Sequence, residues 1–220
     1  MTGAGPVVVV NPNSNTRVTD LISAELDAFR HPGGPKVECL TMAEGPFGIE
    51  NRLHVEQVTL PLARLVESRT DASAFVIACY SDPGLEVCRT MTAAPVFGIQ
   101  EAGILTALAR ADMFGVLALS EGSAGRQRPN HRRMGVAARC AGIAGLNISV
   151  EQSAEDPATF GKLVTHGTAL KTQGAGALIL GCAGMARHRK ALAAELGVVV
   201  IDPTQAAVAM ALGAVASDDS

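Results

Sequence analysis

The stretches Ala74-Phe75-Val76-Ile77-Ala78-Cys79-Tyr80-Ser81-Asp82-Pro83-Gly84 and Ala177-Leu178-Ile179-Leu180-Gly181-Cys182-Ala183-Gly184-Met185 share one layout. In each, an apolar run ends at a cysteine, small residues follow, and a helical pattern begins. A short continuous apolar run is what a strand buried on both faces requires, and strands of that kind belong to parallel sheets.

The same alternation extends in both directions. Strands are expected over 7–10, 37–40, 74–78, 96–99, 114–119, 143–150, 177–180 and 198–201. Helices are expected over 16–30, 51–68, 83–91, 101–111, 125–140, 157–173, 185–196 and 203–215. Strands alternating with helices indicate an α/β fold. The spacing also repeats: Leu119-Ser120 follows Val10-Asn11 by 109 positions, Cys182 follows Cys79 by 103, and Ile201 follows Gly98 by 103. The expected architecture is therefore two similar lobes, each a four-stranded parallel sheet flanked by helices, related by a pseudo-twofold with the active site between them. The first lobe takes 1–111 and the second 112–202, with the helix over about 203–216 free to pack back on the first.

Composition narrows the function classes. At 220 residues and 48% hydrophobic, the chain is long enough to bury a substantial core. No stretch approaches the roughly 20 apolar residues that span a bilayer, and Met1 to Pro6 lacks a basic leader segment. The expectation is a cytoplasmic protein without a membrane partner. A net charge of −3 argues against a general nucleic-acid binder. Arg126, Arg128, His131, Arg132 and Arg133 read as a solvated helix face, with an anion or partner contact as the alternative. An apolar final helix makes a homo-oligomer the expected state. Five cysteines with no CxxC pair fit neither a disulfide framework nor a structural zinc site, so reduced thiols are expected.

In parallel α/β sheets the ligand sits beyond the carboxyl ends of the strands. Four loops meet that condition: 11–16, 79–84, 120–125 and 181–185. They place Cys79 on one wall of the expected cleft and Cys182 on the other. Asp82-Pro83 reads as a helix start, which would put Cys79 beside a helix N-terminus and favour its thiolate. The glycines around Cys182 let backbone come close to a ligand. A free cysteine is often a small core residue, and Cys39, Cys88 and Cys140 are read that way. Two cysteines at matching places in two matching halves instead suit proton transfer at a stereocentre. One thiolate removes a proton from one face of a carbon acid, and the opposing thiol returns one to the other face. Backbone N–H groups stabilise the enolate between them. The scheme needs no metal and no organic cofactor. Asn15 or Thr16 is the expected cap of the first helix. Glu101 reads as a helix-start residue, with orientation of a pocket loop as the alternative, Met185 as pocket wall or core, and His188 as a surface residue or an anion contact.

Asn11-Pro12-Asn13-Ser14-Asn15-Thr16, the two cysteine stretches, Gly98-Ile99-Gln100-Glu101-Ala102 and Val200-Ile201-Asp202-Pro203 resemble the aspartate/glutamate/hydantoin racemase superfamily. The likeness is closest to its hydantoin racemase branch, which includes allantoin racemases, and runs from Val7 to about Val215. The resemblance implies Cys79 and Cys182 as the acid/base pair. It also implies substrate contacts at Asn13, Ser14, Tyr80, Ser81, Ala183 and Gly184. Ser120 joins them on the loop expected to line the pocket. The chain departs from the branch at Tyr80-Ser81, where Phe-Gly is usual, and at Leu119-Ser120-Glu121-Gly122-Ser123, where a threonine-rich turn is common.

The implied activity is cofactor-independent racemisation of a small-molecule carbon acid, a 5-substituted hydantoin or allantoin. The small, weakly polar residues after both cysteines suit a neutral ring better than a charged amino acid. Aspartate/glutamate racemase, maleate isomerase and arylmalonate decarboxylase chemistries are the alternatives within the superfamily. Outside it stands a non-catalytic small-ligand-binding protein.

Overall fold

The computed structural model describes residues 5–218. Met1 to Ala4, part of the segment read for a leader, lies outside them. Among the described residues no helix is long and apolar enough to cross a membrane.

The chain forms two compact units. One comprises the chain up to Ala102 together with the segment from Thr204 onward, and the other is Gly103–Pro203. The first holds strands β1 (Val7–Asn11), β2 (Val37–Thr41), β3 (Ala74–Ile77) and β4 (Val96–Gly98). They pair in parallel in the order β2-β1-β3-β4. The second holds β5 (Phe114–Ala118), β6 (Cys140–Gly145), β7 (Ala177–Gly181) and β8 (Val199–Ile201), parallel in the order β6-β5-β7-β8. The two sheets thus have one topology, as the repeat in spacing predicts.

Burial explains which strands were legible. Every residue of β1, β3, β5 and β7 is buried, because these are the central strands of their sheets. The outer strands β2 and β6 are mostly half-buried, and their sequences are correspondingly mixed.

The helices are α1 (Thr16–Glu25), α2 (Arg52–Ser68), α3 (Leu85–Met91), α4 (Ile99–Leu108), α5 (Glu121–Arg133), α6 (Val150–Glu155), α7 (Ala158–Thr172), α8 (Arg189–Leu196) and α9 (Pro203–Asp218). In the first unit Phe75 and Ile77 of the sheet pack in one apolar cluster with Val58 and Leu62 of α2. In the second, Phe114, Leu117, Leu178 and Ile179 of the sheet and Leu163 of α7 are fully buried. Full burial of each such side chain stabilises its unit by about 1.5–3 kcal/mol. α9 belongs to the first unit, where Gln205 Nε2 donates to the Glu25 carbonyl at the end of α1 (2.9 Å).

Several elements differ from the sequence reading. α1 ends at Glu25, and a separate 3₁₀ turn, Asp27–Phe29, follows it. β6 lies at Cys140–Gly145 rather than 143–150, and Val150 opens α6 instead of closing a strand. The apolar Ile148 and Val150 are buried, but beyond the sheet. α6 begins with a capping box: Ser149 Oγ accepts from Gln152 N, and the Gln152 side chain accepts from Ser149 N. α5 starts at Glu121 rather than 125, with Ser120 as its N-cap.

The basic segment is an exposed helix face at Arg128, Arg132 and Arg133, while Arg126 is half-buried. His131 is buried, and its ring lies edge-on to Phe114 with centroids 5.5 Å apart. Burial first, and then repulsion from Arg128, pushes its imidazole down to about 4. The unfolded chain protonates this histidine near pH 6.5, whereas the folded chain holds it neutral. Its contribution to stability is therefore complete above about pH 6.5 and is lost as pH falls through about 4. His131→Gln should flatten the fall in melting temperature between those pH values, read from parallel thermal melts of the two proteins. Parallel curves would refute this assignment.

Candidate functional site

Each sheet delivers its candidate cysteine at an equivalent place. In the first, β1 and β3 are the central neighbours; in the second, β5 and β7 are. From β1 the chain crosses outward to β2, and from β3 outward to β4, in the opposite direction. The crevice where such connections diverge, at the carboxyl ends of the strands, is where open α/β sheets bind ligands. Cys79 lies two residues past Ile77, the end of β3, and Cys182 one residue past Gly181, the end of β7. After each cysteine the backbone closes the same turn. Asp82 N donates to the Cys79 carbonyl (2.9 Å), and Met185 N donates to the Cys182 carbonyl (3.1 Å). None of the five cysteines, all among the described residues, is in a disulfide; Cys79 is half-buried and Cys182 is 9% exposed.

The two turns are fastened differently. The Asp82 side chain does not cap α3, whose N-cap is Gly84. It reaches α4 instead, where its two carboxylate oxygens accept from Gln100 N and Glu101 N, both at 2.9 Å. The expected helix start beside Cys79 is thus corrected: the carboxylate serves a different helix, and α3 begins three residues later than Asp82. The acceptors also explain why a non-glycine residue sits at φ 43°, a left-handed conformation that Asp tolerates better than most. Gly98 makes room for the clamp, since a Cβ there would lie 2.3 Å from the Asp82 carboxyl carbon. Burial pushes the Asp82 carboxyl up to about 7, against the pull of the two N–H donors. At the second cysteine the corresponding residue is Met185, fully buried in the core. A 3₁₀ turn, Ala183–His188, then leads into α8.

The neighbouring loops are shaped from within. Asn11, at the end of β1, is buried, and its Nδ2 lies within hydrogen-bond reach of Asn13 Oδ1 (3.0 Å), the Asn15 carbonyl (3.2 Å) and Thr19 Oγ1 (3.0 Å). Asn13 Oδ1 also accepts from Asn15 N (3.0 Å), and Asn15 caps α1 through Arg17 N. Asn13, read as a substrate contact, therefore spends its oxygen on the turn itself. Ser14 is half-buried, and its N–H donates to the Pro46 carbonyl (3.0 Å), which fastens the 42–51 segment to this turn. In the second unit Ser120 Oγ accepts from Ser123 N (3.1 Å), and Glu121 Oε1 accepts from Gly145 N (3.2 Å) at the end of β6.

Of the remaining expected contacts, Tyr80 and Ala183 are buried and Ser81 is half-buried. Gly181 and Gly184 approach protein neighbours rather than open space. A Cβ on Gly181 would lie 2.7 Å from the Leu117 carbonyl oxygen, and one on Gly184 would lie 3.0 Å from Ser153 Oγ. Ser153, on α6, is the residue the sequence reading missed: its Oγ lies 3.5 Å from Cys182 Sγ. The capping box from Ser149 to Gln152 was the available signal, masked by reading this stretch as a strand. His188 is half-buried and packs near Phe160. Burial and then Arg187 push its imidazole below the usual range, which makes it a poor anion contact at neutral pH. Glu101 pairs with Arg89 (2.9 Å) in the first turn of α4. Among the described residues no group of three or more His, Cys, Asp or Glu side chains could hold a metal ion.

These features define an α/β protein built as a repeat, with a thiol at the ligand-binding end of each sheet. The chain belongs to the Asp/Glu/hydantoin racemase family, whose model matches residues 7–211. It is 31% identical over 217 residues to a hydantoin racemase of Paenarthrobacter aurescens, covering 96% of this chain and 91% of that one. It is equally 31% identical, over 210 residues, to a hydantoin racemase of Rhizobium meliloti, covering 92% and 86% of the two chains. Among solved structures, allantoin racemase from Klebsiella pneumoniae superposes with a TM-score of 0.90 at 27% identity, covering 98% of this chain and 89% of that one. Membership makes the protein an isomerase of the racemase class.

The clamp at Asp82 is directly testable. Asp82→Ala leaves two backbone donors without their acceptor and places Ala at a positive φ. It should lower unfolding free energy in urea by about 1–2 kcal/mol, the usual worth of a helix cap. A loss below 0.5 kcal/mol, on the order of a neutral surface change, would show that the clamp does not hold the loop.

Proposed function

We propose that the protein racemises a 5-substituted hydantoin, allantoin included, by proton transfer between Cys79 and Cys182, without a metal or organic cofactor. The observation that carries this reading is the pair of cysteines on matching turns of two sheets of identical topology.

In one direction a Cys79 or Cys182 thiolate takes the C5 proton, and the electron pair left on carbon delocalises into the C4 carbonyl as an enolate. The other thiol then delivers its proton to the opposite face of C5, and the enolate returns to carbonyl. The proton gained by one sulfur and the proton lost by the other balance. In the reverse direction the two thiols exchange roles. Carbon acids flanked by an imide ring are more acidic than amino-acid α-carbons, so a thiolate of ordinary basicity suffices.

The charge around the cysteines supports a neutral substrate. The acidic residue in the Cys79 turn, Asp82, is committed to backbone donors of α4. The residues directly after Cys182, Ala183 and Gly184, carry no charge. An amino-acid substrate brings an ammonium and two carboxylates, which need charged or strongly polar partners when desolvated. A hydantoin ring brings carbonyl and N–H groups, which backbone and hydroxyl groups satisfy.

The test is incubation with single enantiomers of 5-substituted hydantoins, allantoin, aspartate and glutamate in D₂O. Loss of optical rotation with deuterium entry at C5 of the hydantoins is expected, unaffected by a chelator. Cys79→Ser and Cys182→Ser should each lower turnover at least about 10²-fold, the range for loss of a positioned acid or base. Undiminished racemisation in either variant overturns the two-thiol mechanism, and turnover of aspartate or glutamate alone reassigns the substrate.

A further inference from the structure

We infer that Ser153 is a positioning residue for Cys182, a hydroxyl that accepts from the thiol when it is protonated and donates to the thiolate when it is not. The inference rests on the proposed acid/base role of Cys182.

Ser153 is fully buried on α6, with Oγ 3.5 Å from Cys182 Sγ. The same oxygen donates to the Val150 carbonyl at 2.7 Å. A serine hydroxyl has one hydrogen and two lone pairs. With its hydrogen engaged by Val150, Oγ meets Cys182 as an acceptor, and the thiol S–H donates to it. Once Cys182 has given its proton to substrate, the sulfur is an anion with nothing to donate. The serine hydrogen then turns from the carbonyl to the sulfur by rotation about the Cβ–Oγ bond. No proton passes between serine and cysteine, so the exchange with substrate stays balanced. A hydrogen bond to a charged acceptor is roughly twice as strong as a neutral one, which favours the turn and with it the thiolate.

Both sides of the contact are built. On the serine side, the Ser149–Gln152 capping box fixes the start of α6, and Thr159 Oγ1 donates to the Gln152 carbonyl at 2.9 Å. On the cysteine side, Gly184 leaves room for the hydroxyl, since a Cβ there would stand 3.0 Å from Ser153 Oγ. A hydroxyl buried in a helix costs free energy unless it is bonded, and alanine has the higher helix propensity. Bonding back to a carbonyl within its own helix is the purely structural account of Ser153. That account leaves the ionisation of Cys182 unaffected by the loss of the hydroxyl.

The experiment is site-resolved alkylation of Cys182 by iodoacetamide as a function of pH, read by mass spectrometry in the Cys79→Ser protein with and without Ser153→Ala. Ser153→Ala is expected to raise the pH midpoint by about one unit, a tenfold slower alkylation below the midpoint. In the otherwise wild-type protein the same change should lower kcat about tenfold and leave KM unchanged. An unmoved or lowered midpoint in a folded variant overturns the inference. Should Ser153→Ala not fold, the S–H stretching band lost between wild type and Cys182→Ser decides. A hydrogen-bonded frequency supports the contact, and a free-thiol frequency refutes it. Failure of the protein to racemise any hydantoin would sink the proposed function, while the alkylation midpoint would still report on Ser153.

Discussion

A strand that is buried on both faces and paired in parallel on both sides cannot turn back on itself. It must hand the chain to a crossover at its carboxyl end, and every such crossover leaves from the same edge of the sheet. In both units this applies to a central pair, β1 with β3 and β5 with β7, whose connections run outward in opposite directions. That parting leaves backbone at one edge with neither a strand nor a helix directly above it. The asparagine turn, the Cys79 turn, the Ser120 cap and the Cys182 turn all fall there because the chain has no other place to change direction.

Given that common position, the two cysteine turns solve the same problem with different chemistry. Each closes on itself through an N–H three residues on. The first is tied down by a carboxyl side chain spending both oxygens on the start of the next helix. The second is tied down by an apolar side chain sunk in the core, and its sulfur faces a serine hydroxyl. A carboxyl in the first turn is compatible with a neutral ligand because both of its oxygens are already bonded locally. The same logic covers the asparagine turn, where Asn11 and Asn13 use most of their capacity on each other and on the chain around them.

The parts of the fold that sequence revealed are those where burial is symmetric. Val7 to Val10, Phe75 to Ile77 and Leu178 to Leu180 are apolar throughout because both faces are covered, and the equal spacing of the halves follows from the shared topology. Legibility failed where exposure is mixed or partners are distant. β6 reads Cys140-Ala141-Gly142-Ile143-Ala144-Gly145, too small and half-exposed to mark a strand, so the apolar Ile148 and Val150 drew the boundary forward and hid α6. Gly122, beside Ser120 and Ser123, disguised the first turn of α5 as loop. Asp82 followed by Pro83 has the local look of a cap, yet its acceptor oxygens are used eighteen and nineteen residues further on, a distance at which no local pattern reports. The cysteines themselves were legible because their signal was a repeat, whereas Ser153 stands beside Cys182 through a contact across 29 residues that has no counterpart in spacing.

The unlike fastening of the two turns bears on how such a chain could have arisen and how it could be rebuilt. An ancestor made of one lobe used twice would have had two identical turns and two identical sulfur environments. Here the halves differ where they hold their cysteines while sharing one strand order. Neither half is now a spare part for the other. A symmetric protein assembled from two copies of the first lobe would inherit two Asp82 clamps and no Ser153, and one from two copies of the second would inherit the reverse.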